Sequence, residues 1–333
     1  MLCLLSPAKS LRESTASLVS TFRKSEVQKK IKVNVSKPLL DSESHVLVGE
    51  VQKLKKSQLK TLLGVSDSIN DLNFKRYQDF DSQSEYIASF LYDGPAYKGL
   101  NALEMNAQDL ACLDKSLCIL SGLYGFVRPF DIIQPYRLDM GKKVQVEGCK
   151  NLYEFWKSHD ITTSVAQLAQ KNSASIVLNC ASQEYSKVLD FDQLQSKHGL
   201  KVVHCVFKAH TGRLGSFFAK QARGMMVRYV ATTGAKCLED LHQFQGDGHY
   251  RFSNSDSDES SIVFLRYAEK PDKDQKSTTK KRKIDDLEKK PKTKPEKAVK
   301  PERLSKSATV ENGAKSLRKS SRRSRSTKVN YKE

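Results

Sequence analysis

With 333 residues and a formal net charge of +19, the chain can bury a substantial core and carries a charge suited to polyanionic partners. Its cysteines (Cys3, Cys112, Cys118, Cys149, Cys180, Cys205 and Cys237) form no C-x-x-C pair, and their odd count argues against a disulfide framework and for a reducing compartment. The apolar stretch before Ser6 is too short for a signal peptide, and no run approaches the roughly 18 apolar residues of a membrane span, so neither secretion nor membrane insertion is expected.

The charge is unevenly spread. Residues 269–333 hold 23 Lys and Arg against 10 Asp and Glu, a net of +13 in 65 residues, with Tyr331 the sole aromatic. Lys, Ser, Pro and Glu dominate there, leaving no apolar burial to offset the entropy of ordering. The chain is therefore read as a globular domain over 1–268 followed by a disordered basic tail over 269–333.

The domain opens with Leu2–Leu5, an apolar run stopped by Ser6-Pro7-Ala8-Lys9, the profile of a short buried strand. Leu54, Leu59, Leu62 and Leu63 then give one helix an apolar side, Gly64-Val65-Ser66 makes a tight turn, and Ile69, Leu72 and Tyr77 are expected to face inward from a second helix, the unit spanning about 53–77. Residues 117–120 repeat the layout of the first strand and run into Ser121-Gly122-Leu123-Tyr124-Gly125. Leu152, Tyr153, Phe155 and Trp156 have helical spacing, and residues 176–178 run into Asn179-Cys180-Ala181-Ser182. Residues 202–207 and 262–267 complete the strand candidates, the last one preceded by an acidic loop over 253–261. Strands and helices that alternate in this way predict a single mixed-sheet α/β domain with surrounding helices, and its site belongs in the loops after the strand ends.

Three constellations carry candidate chemistry. In the helical hairpin, Lys55, Lys56, Lys60, Lys75 and Arg76 flank a glycine turn of the kind that presents backbone N–H groups to a phosphate, although Ser66 stands where such hairpins usually carry a second glycine. Read without that function, it is an ordinary αα-hairpin with solvated lysines.

Residues 121–141 (SGLYGFVRPFDIIQPYRLDMG) form the densest stretch, with Arg128 placed to pair with Asp131 and Arg137 with Asp139. The sharper reading is an anion or substrate pocket, with Arg128 and Arg137 as bidentate donors and Tyr124 or Tyr136 supplying a hydroxyl. A helix over 216–229 is predicted to bury Phe218, Ala222, Met225 and Tyr229, leaving Lys220, Arg223 and Arg228 around Gly224, where the missing side chain would let an anion approach. No G-x-S-x-G, H-E-x-x-H, P-loop or dinucleotide fingerprint occurs, and His and Cys never fall at metal-ligand spacing, so no cofactor or metal is assigned. Lys9, Glu184 and Lys187 are candidate acids or bases if they meet in the crevice.

Taken together, LLSPAK (4–9), SGLYG..RP.D...PYRLDMG (121–141), LYEFW (152–156), LNCASQEYSKV (178–188) and AKQARGMMVRY (219–229) resemble the YaaA family of bacterial peroxide-stress proteins, in order and with matching spacing, over the whole globular part. The resemblance implies one mixed α/β domain with a helix-hairpin-helix element, a positively charged cleft, binding to double-stranded and branched DNA, and a role in limiting free iron; it implies no reaction. Carried onto this sequence, the hairpin falls on residues 63–67. The cleft falls on Ser6, Lys9, Tyr124, Arg128, Asp131, Tyr136, Arg137, Asn179, Glu184 and Tyr185, together with Lys220, Arg223 and Arg228. Contacts to DNA, mainly to its backbone, are expected from Lys60, Gly64, Ser66, Lys75, Arg76, Lys220, Arg223 and Arg228.

The tail lies outside this resemblance. It carries Lys280-Lys281-Arg282-Lys283, a cluster suited to a nuclear import receptor, and a second basic block over 320–326 with phosphorylatable serines, so a eukaryotic protein in the nucleus, the cytoplasm or both is expected. The leading expectation is a DNA-binding protein of the oxidative stress response, protecting DNA. The alternative is an enzyme acting on a small anionic or phosphate-bearing substrate, with Lys9, Arg128, Arg137 and Glu184 as catalytic candidates. Direct iron or haem binding has the least support.

Overall fold

The structure, a computed structural model, describes residues 1–24, 29–33 and 35–267; both basic blocks of the tail lie outside the described residues. The strands are β1 (Leu2–Leu5), β2 (Tyr86–Ile87), β3 (Leu117–Ser121), β4 (Gly125–Val127), β5 (Ile132–Ile133), β6 (Ile176–Asn179), β7 (Lys201–Ala209), β8 (Tyr250–Phe252) and β9 (Ser261–Arg266). Seven of them form one mixed sheet in the order β4-β3-β1-β6-β7-β9-β8, and β2 pairs with β5 in a separate ribbon.

β1 lies parallel to β3 on one side, with Cys3 opposite Leu117, and parallel to β6 on the other, with Cys3 opposite Leu178. β6–β7 and β7–β9 are parallel too, whereas β4 and β8 are antiparallel returns at the two edges. Every residue of β1 and β3 is buried, so both faces of these strands are covered, which is why they read as continuous apolar runs and not as alternating ones. This is the mixed α/β architecture expected from the sequence.

Two helix faces differ from expectation. In the hairpin, helices Lys56–Leu63 and Asp67–Gln78 are present, but the inward side of the second holds Asn70, Asn73 and Tyr77, while Ile69 and Leu72 are 38% and 48% exposed. The amides of that polar face are half satisfied: Asn70 Nδ2 donates to Lys56 O at 2.9 Å and Asn73 Nδ2 to Ile69 O at 2.8 Å, while both Oδ1 atoms are buried with no hydrogen-bond partner among the described residues.

In the long helix Ser216–Thr233 the buried residues are Ala222, Gly224, Met226, Val227, Val230 and Ala231, and Phe218 is 42% exposed. Gly224 is thus no gap for an anion. It lies where this helix crosses helix Pro95–Leu100, and a Cβ there would run into Ala96 O and sit 2.8 Å from Leu100 N; across the crossing, a Cβ on Gly99 would meet Gln221 O and, at 2.9 Å, Met225 N. Two glycines let the backbones touch, which fixes how the cations of the long helix lie over the sheet.

Asp114, on helix Ala107–Ser116, is raised to about 6 by burial, with nearby Arg128 opposing the shift. Its charge therefore costs stability above pH 6 and costs nothing below the unfolded carboxylate range. Asp114→Asn is expected to stabilise the protein by about 1–2 kcal/mol at pH 8, after allowance for solvent screening, and to be neutral near pH 4. Melting curves of both proteins at the two pH values check this; a variant equally stable or less stable at pH 8 contradicts it.

Candidate functional site

β1 sends the chain toward β3 on one side, while β6, its other neighbour, continues to β7 on the opposite side. The loops after β1 and β6 therefore diverge, and a crevice opens at their carboxyl ends, the place where open α/β sheets accept ligands. The cavity there measures about 500 Å³. Ser6, Pro7, Ala8 and Lys9 line it after β1; Cys180, Ser182, Gln183, Glu184 and Tyr185 line it after β6. Pro95, Ala96 and Tyr97 form another wall, and Lys220 and Arg223 reach it from the long helix.

Hydrogen bonds staple the two strand ends. The Ser182 N–H donates to Ser6 Oγ at 2.9 Å, Ser6 Oγ donates to Ser182 Oγ at 3.2 Å, and the Tyr97 hydroxyl donates to Ser6 O at 3.1 Å. The Gly141 N–H donates to Glu184 Oε1 at 3.3 Å, and the Tyr153 hydroxyl donates to Glu184 O at 2.7 Å. Lys9 Nζ stands 3.1 Å from Asp139, whose carboxylate is buried while the Lys9 side chain is 61% exposed. Among the described residues neither Lys220 nor Arg223 has a carboxylate partner, so the rim carries uncompensated positive charge.

Behind this wall Tyr136 accepts or donates at 2.8 Å to Tyr92 and at 2.6 Å to Ser121 Oγ. Burial pushes Tyr136 up to about 12, with the bonds from Ser121 and Tyr92 opposing it. Burial likewise raises Tyr97 and, with the Asp139 charge adding to it, Tyr185, so these phenols stay neutral donors at pH 7. The Cys180 thiol is raised by its contact with Cys205 and by burial, against a weaker pull from Arg223, and is not a thiolate.

Of the cleft residues expected from the sequence, Ser6, Lys9, Glu184, Tyr185, Lys220 and Arg223 line this cavity. Asn179 does not line it but shapes the turn after β6, since the Ala181 N–H donates to Asn179 Oδ1 at 3.0 Å and Asn179 Nδ2 meets His204 Nδ1 at 3.0 Å. Tyr124 is buried, bonded to Gln134 Oε1 at 3.0 Å.

Arg128 and Arg228 are engaged elsewhere, whereas the buried Arg137 Nε has no hydrogen-bond partner among the described residues. Arg128 grips buried Asp131, with Nε 3.0 Å from Oδ1, and also donates to Ser36 Oγ at 2.8 Å and Lys37 O at 2.9 Å. Arg137 does not pair with Asp139, which is taken by Lys9. Arg228 donates to Leu100 O at 3.1 Å and Asn101 O at 2.8 Å, closing the end of helix Pro95–Leu100. Sequence reasoning missed Tyr97 altogether, and it named Ser182 and Asp139 without assigning them to the site. The Asp93-Gly94-Pro95 turn before a helix was the available signal for the first.

In the hairpin, Gly64 adopts φ 64° and ψ 50° and its N–H donates to Lys60 O at 2.8 Å. Ser66 is extended and no side chain caps the start of helix Asp67–Gln78. Lys60 and Asp67 pair at 2.7 Å and Lys56 and Asp71 at 2.8 Å on the exposed surface, while Arg76 pairs with Glu13. Lys60 accordingly holds the Asp67 carboxyl below its usual range. Hairpin and crevice are joined by two consecutive residues: the Gly141 N–H bonds Glu184, and Lys142 Nζ donates to Leu63 O at 2.8 Å.

Among the described residues no group of three or more His, Cys, Asp or Glu is placed to hold a metal ion, all seven cysteines are free thiols, and no helix is long and apolar enough to cross a membrane. The fold and the crevice define an α/β protein with a basic, carboxylate-bearing site at the switch point of its sheet. Residues 1–256 match the family described as peroxide stress protein YaaA, and the chain belongs to that family. It is 37% identical over 273 residues to a UPF0246 protein of Polaromonas sp. (strain JS666 / ATCC BAA-500), covering 80% of this chain and 98% of the relative. A UPF0246 protein of Flavobacterium johnsoniae is 37% identical over 80% of this chain and 100% of its own length, and one of Caulobacter vibrioides is 37% identical over 80% and 99%.

Proposed function

We propose that this protein binds DNA as part of the peroxide stress response, protecting it and limiting free iron, with most contacts made to the phosphate backbone. The observation that carries the DNA-binding part is the hairpin: an uncapped helix start after a left-handed glycine turn, beside Lys60 and tied through residues 141–142 to the cationic rim of the crevice. Backbone N–H groups at a helix start donate readily to a phosphate, and the surface pair Lys60–Asp67 costs little to open. Lys220 and Arg223, without carboxylate partners among the described residues, add positive charge at the crevice. Stress protection and iron limitation follow from the family's name and resemblance, not from the site.

The basic tail adds affinity through counterion release, and Lys280-Lys281-Arg282-Lys283 directs the protein to the nucleus through an import receptor. If the tail places about 5 cations on phosphate, a chain ending at residue 268 binds duplex DNA with a log–log salt slope shallower by roughly 4, at about 0.9 per contact. A fluorescent fusion of the same length shifts toward the cytoplasm. An unchanged slope removes the tail from DNA binding, and unchanged nuclear signal removes the import role.

A second reading is favoured by the position of the crevice at the switch point. There Lys9 and Glu184, two of the four catalytic candidates, face one cavity with Ser6, Tyr185 and Arg223, an arrangement suited to acid–base work on a small anionic substrate. Arg128 is committed to Asp131 and takes no part in it.

A further inference from the structure

We propose that the crevice holds one nucleotide unit, its ring enclosed between the strand ends and its phosphate on Arg223 and Lys220. This rests on the small-substrate reading of the site and names the class of that substrate. At about 500 Å³ the cavity falls in the range of sites that enclose small ligands, and it is far larger than a lone phosphate needs.

Depth sorts its lining by chemistry. Leu5, Cys180, Tyr97 and Tyr185 are buried, whereas Lys220 is exposed and Arg223 half-buried. A ligand that satisfies both layers has a flat, largely apolar body and one anionic end. The phenol of Tyr97 is spent on Ser6 O, so its ring is the surface it offers.

Among the polar groups at the strand ends, Ser6, Ser182 and Glu184 are placed to read the edge of such a ring. Glu184 accepts one bond from Gly141, and each carboxylate oxygen has further lone pairs; the Ser6 and Ser182 hydroxyls bond each other and retain acceptor capacity. The buried lining, Leu5, Tyr97, Cys180 and Tyr185, offers a phosphate no cation, and the exposed Glu184 carboxylate occupies the β6 side of the mouth, which puts the anion beside the cations of the long helix. There Arg223 supplies a planar fork that matches two phosphate oxygens, and Lys220 adds a point charge.

The same unit has two sources, a free nucleotide or a nucleotide turned out of a DNA strand. Titration of the full chain with dAMP, deoxyribose 5-phosphate and inorganic phosphate, followed by calorimetry, tests the first. The expected result is binding of dAMP at least about tenfold tighter than of either smaller anion, and weakened about tenfold by Arg223→Gln or by Lys220→Gln, the latter at an exposed position where the fold survives.

A duplex with 2-aminopurine opposite a mismatch tests the second source. A fluorescence rise on binding that Lys220→Gln removes supports the proposal with DNA as the donor, even where dAMP alone binds weakly. Affinity for dAMP no greater than for inorganic phosphate, together with no 2-aminopurine response that Lys220→Gln removes, overturns it. Neither result bears on duplex binding by the hairpin, which is read separately from the salt slope.

Discussion

Asp131→Ala is expected to lower the unfolding free energy by about 3–5 kcal/mol, because it strands a partly buried arginine. Asp131 is fully buried and accepts bonds from the Arg128 N–H at 2.8 Å, Arg128 Nε at 3.0 Å and Ser36 Oγ at 3.0 Å. Arg128 in turn holds Ser36 and Lys37, so the pair ties the segment before helix Asp41–Gln52 to the loop between β4 and β5. Burial raises the Asp131 carboxyl above its usual range, the Arg128 bonds opposing it, so the ionised pair contributes little net stability over an apolar filling.

The loss in the single variant comes from orphaning Arg128, and removing both charges should restore most of it. Denaturant unfolding of Asp131→Ala and of the double variant Arg128→Leu/Asp131→Leu separates these effects. A single-variant loss under about 1 kcal/mol, or a double variant no better than the single, contradicts the account.

Gly224→Ala is the second large effect. In an open helix the change adds roughly 0.5–1 kcal/mol of stability. Here the new methyl runs into the backbone of helix Pro95–Leu100, where no side chain can swing aside, and the helices must separate. The expected net loss is about 2–3 kcal/mol, a fall in melting temperature on the order of 5 °C or more for a domain of this size. Gly49, in helix Asp41–Gln52, is the control, since a Cβ there has nothing within 4 Å, and Gly49→Ala should stabilise. Equal melting temperatures for the two variants would refute the close-crossing explanation. The crossing also holds Arg223 over the crevice, so damage at Gly224 should weaken anion binding as well.

The strands were legible because parallel strands buried on both faces leave uninterrupted apolar runs, as in Leu2–Leu5 and β3. Their ends pointed to Ser6, Lys9 and Glu184, which line the crevice, since a run that stops in polar residues marks where the sheet opens. Helix faces were less legible. The spacing of Ile69 and Leu72 outvoted Asn70 and Asn73 by hydrophobicity, yet the asparagines found backbone carbonyls and took the inner face. Gly224 looked like a gap between cations because one helix alone cannot show what crosses it.

Arg137 and Asp139 were natural partners by distance along the chain, but the sheet delivers Lys9, from the far end of the sequence, to Asp139. Tyr97 and Asp139 joined the site through contacts of long sequence separation; the Asp93-Gly94-Pro95 turn marked the helix that carries Tyr97, but nothing local showed what either residue would touch.

Duplex binding through the hairpin is tested most directly by the salt dependence of affinity for the full chain and for Lys60→Gln/Lys75→Gln. Both lysines lie in the hairpin, and Lys75 has no ion pair among the described residues. The wild-type protein should bind duplex DNA with a steep log–log slope, and the double variant should flatten it by about 2, at roughly 0.9 per lost phosphate contact. A slope that is the same in both proteins, or wild-type binding indifferent to salt, would contradict the claim that this surface grips DNA.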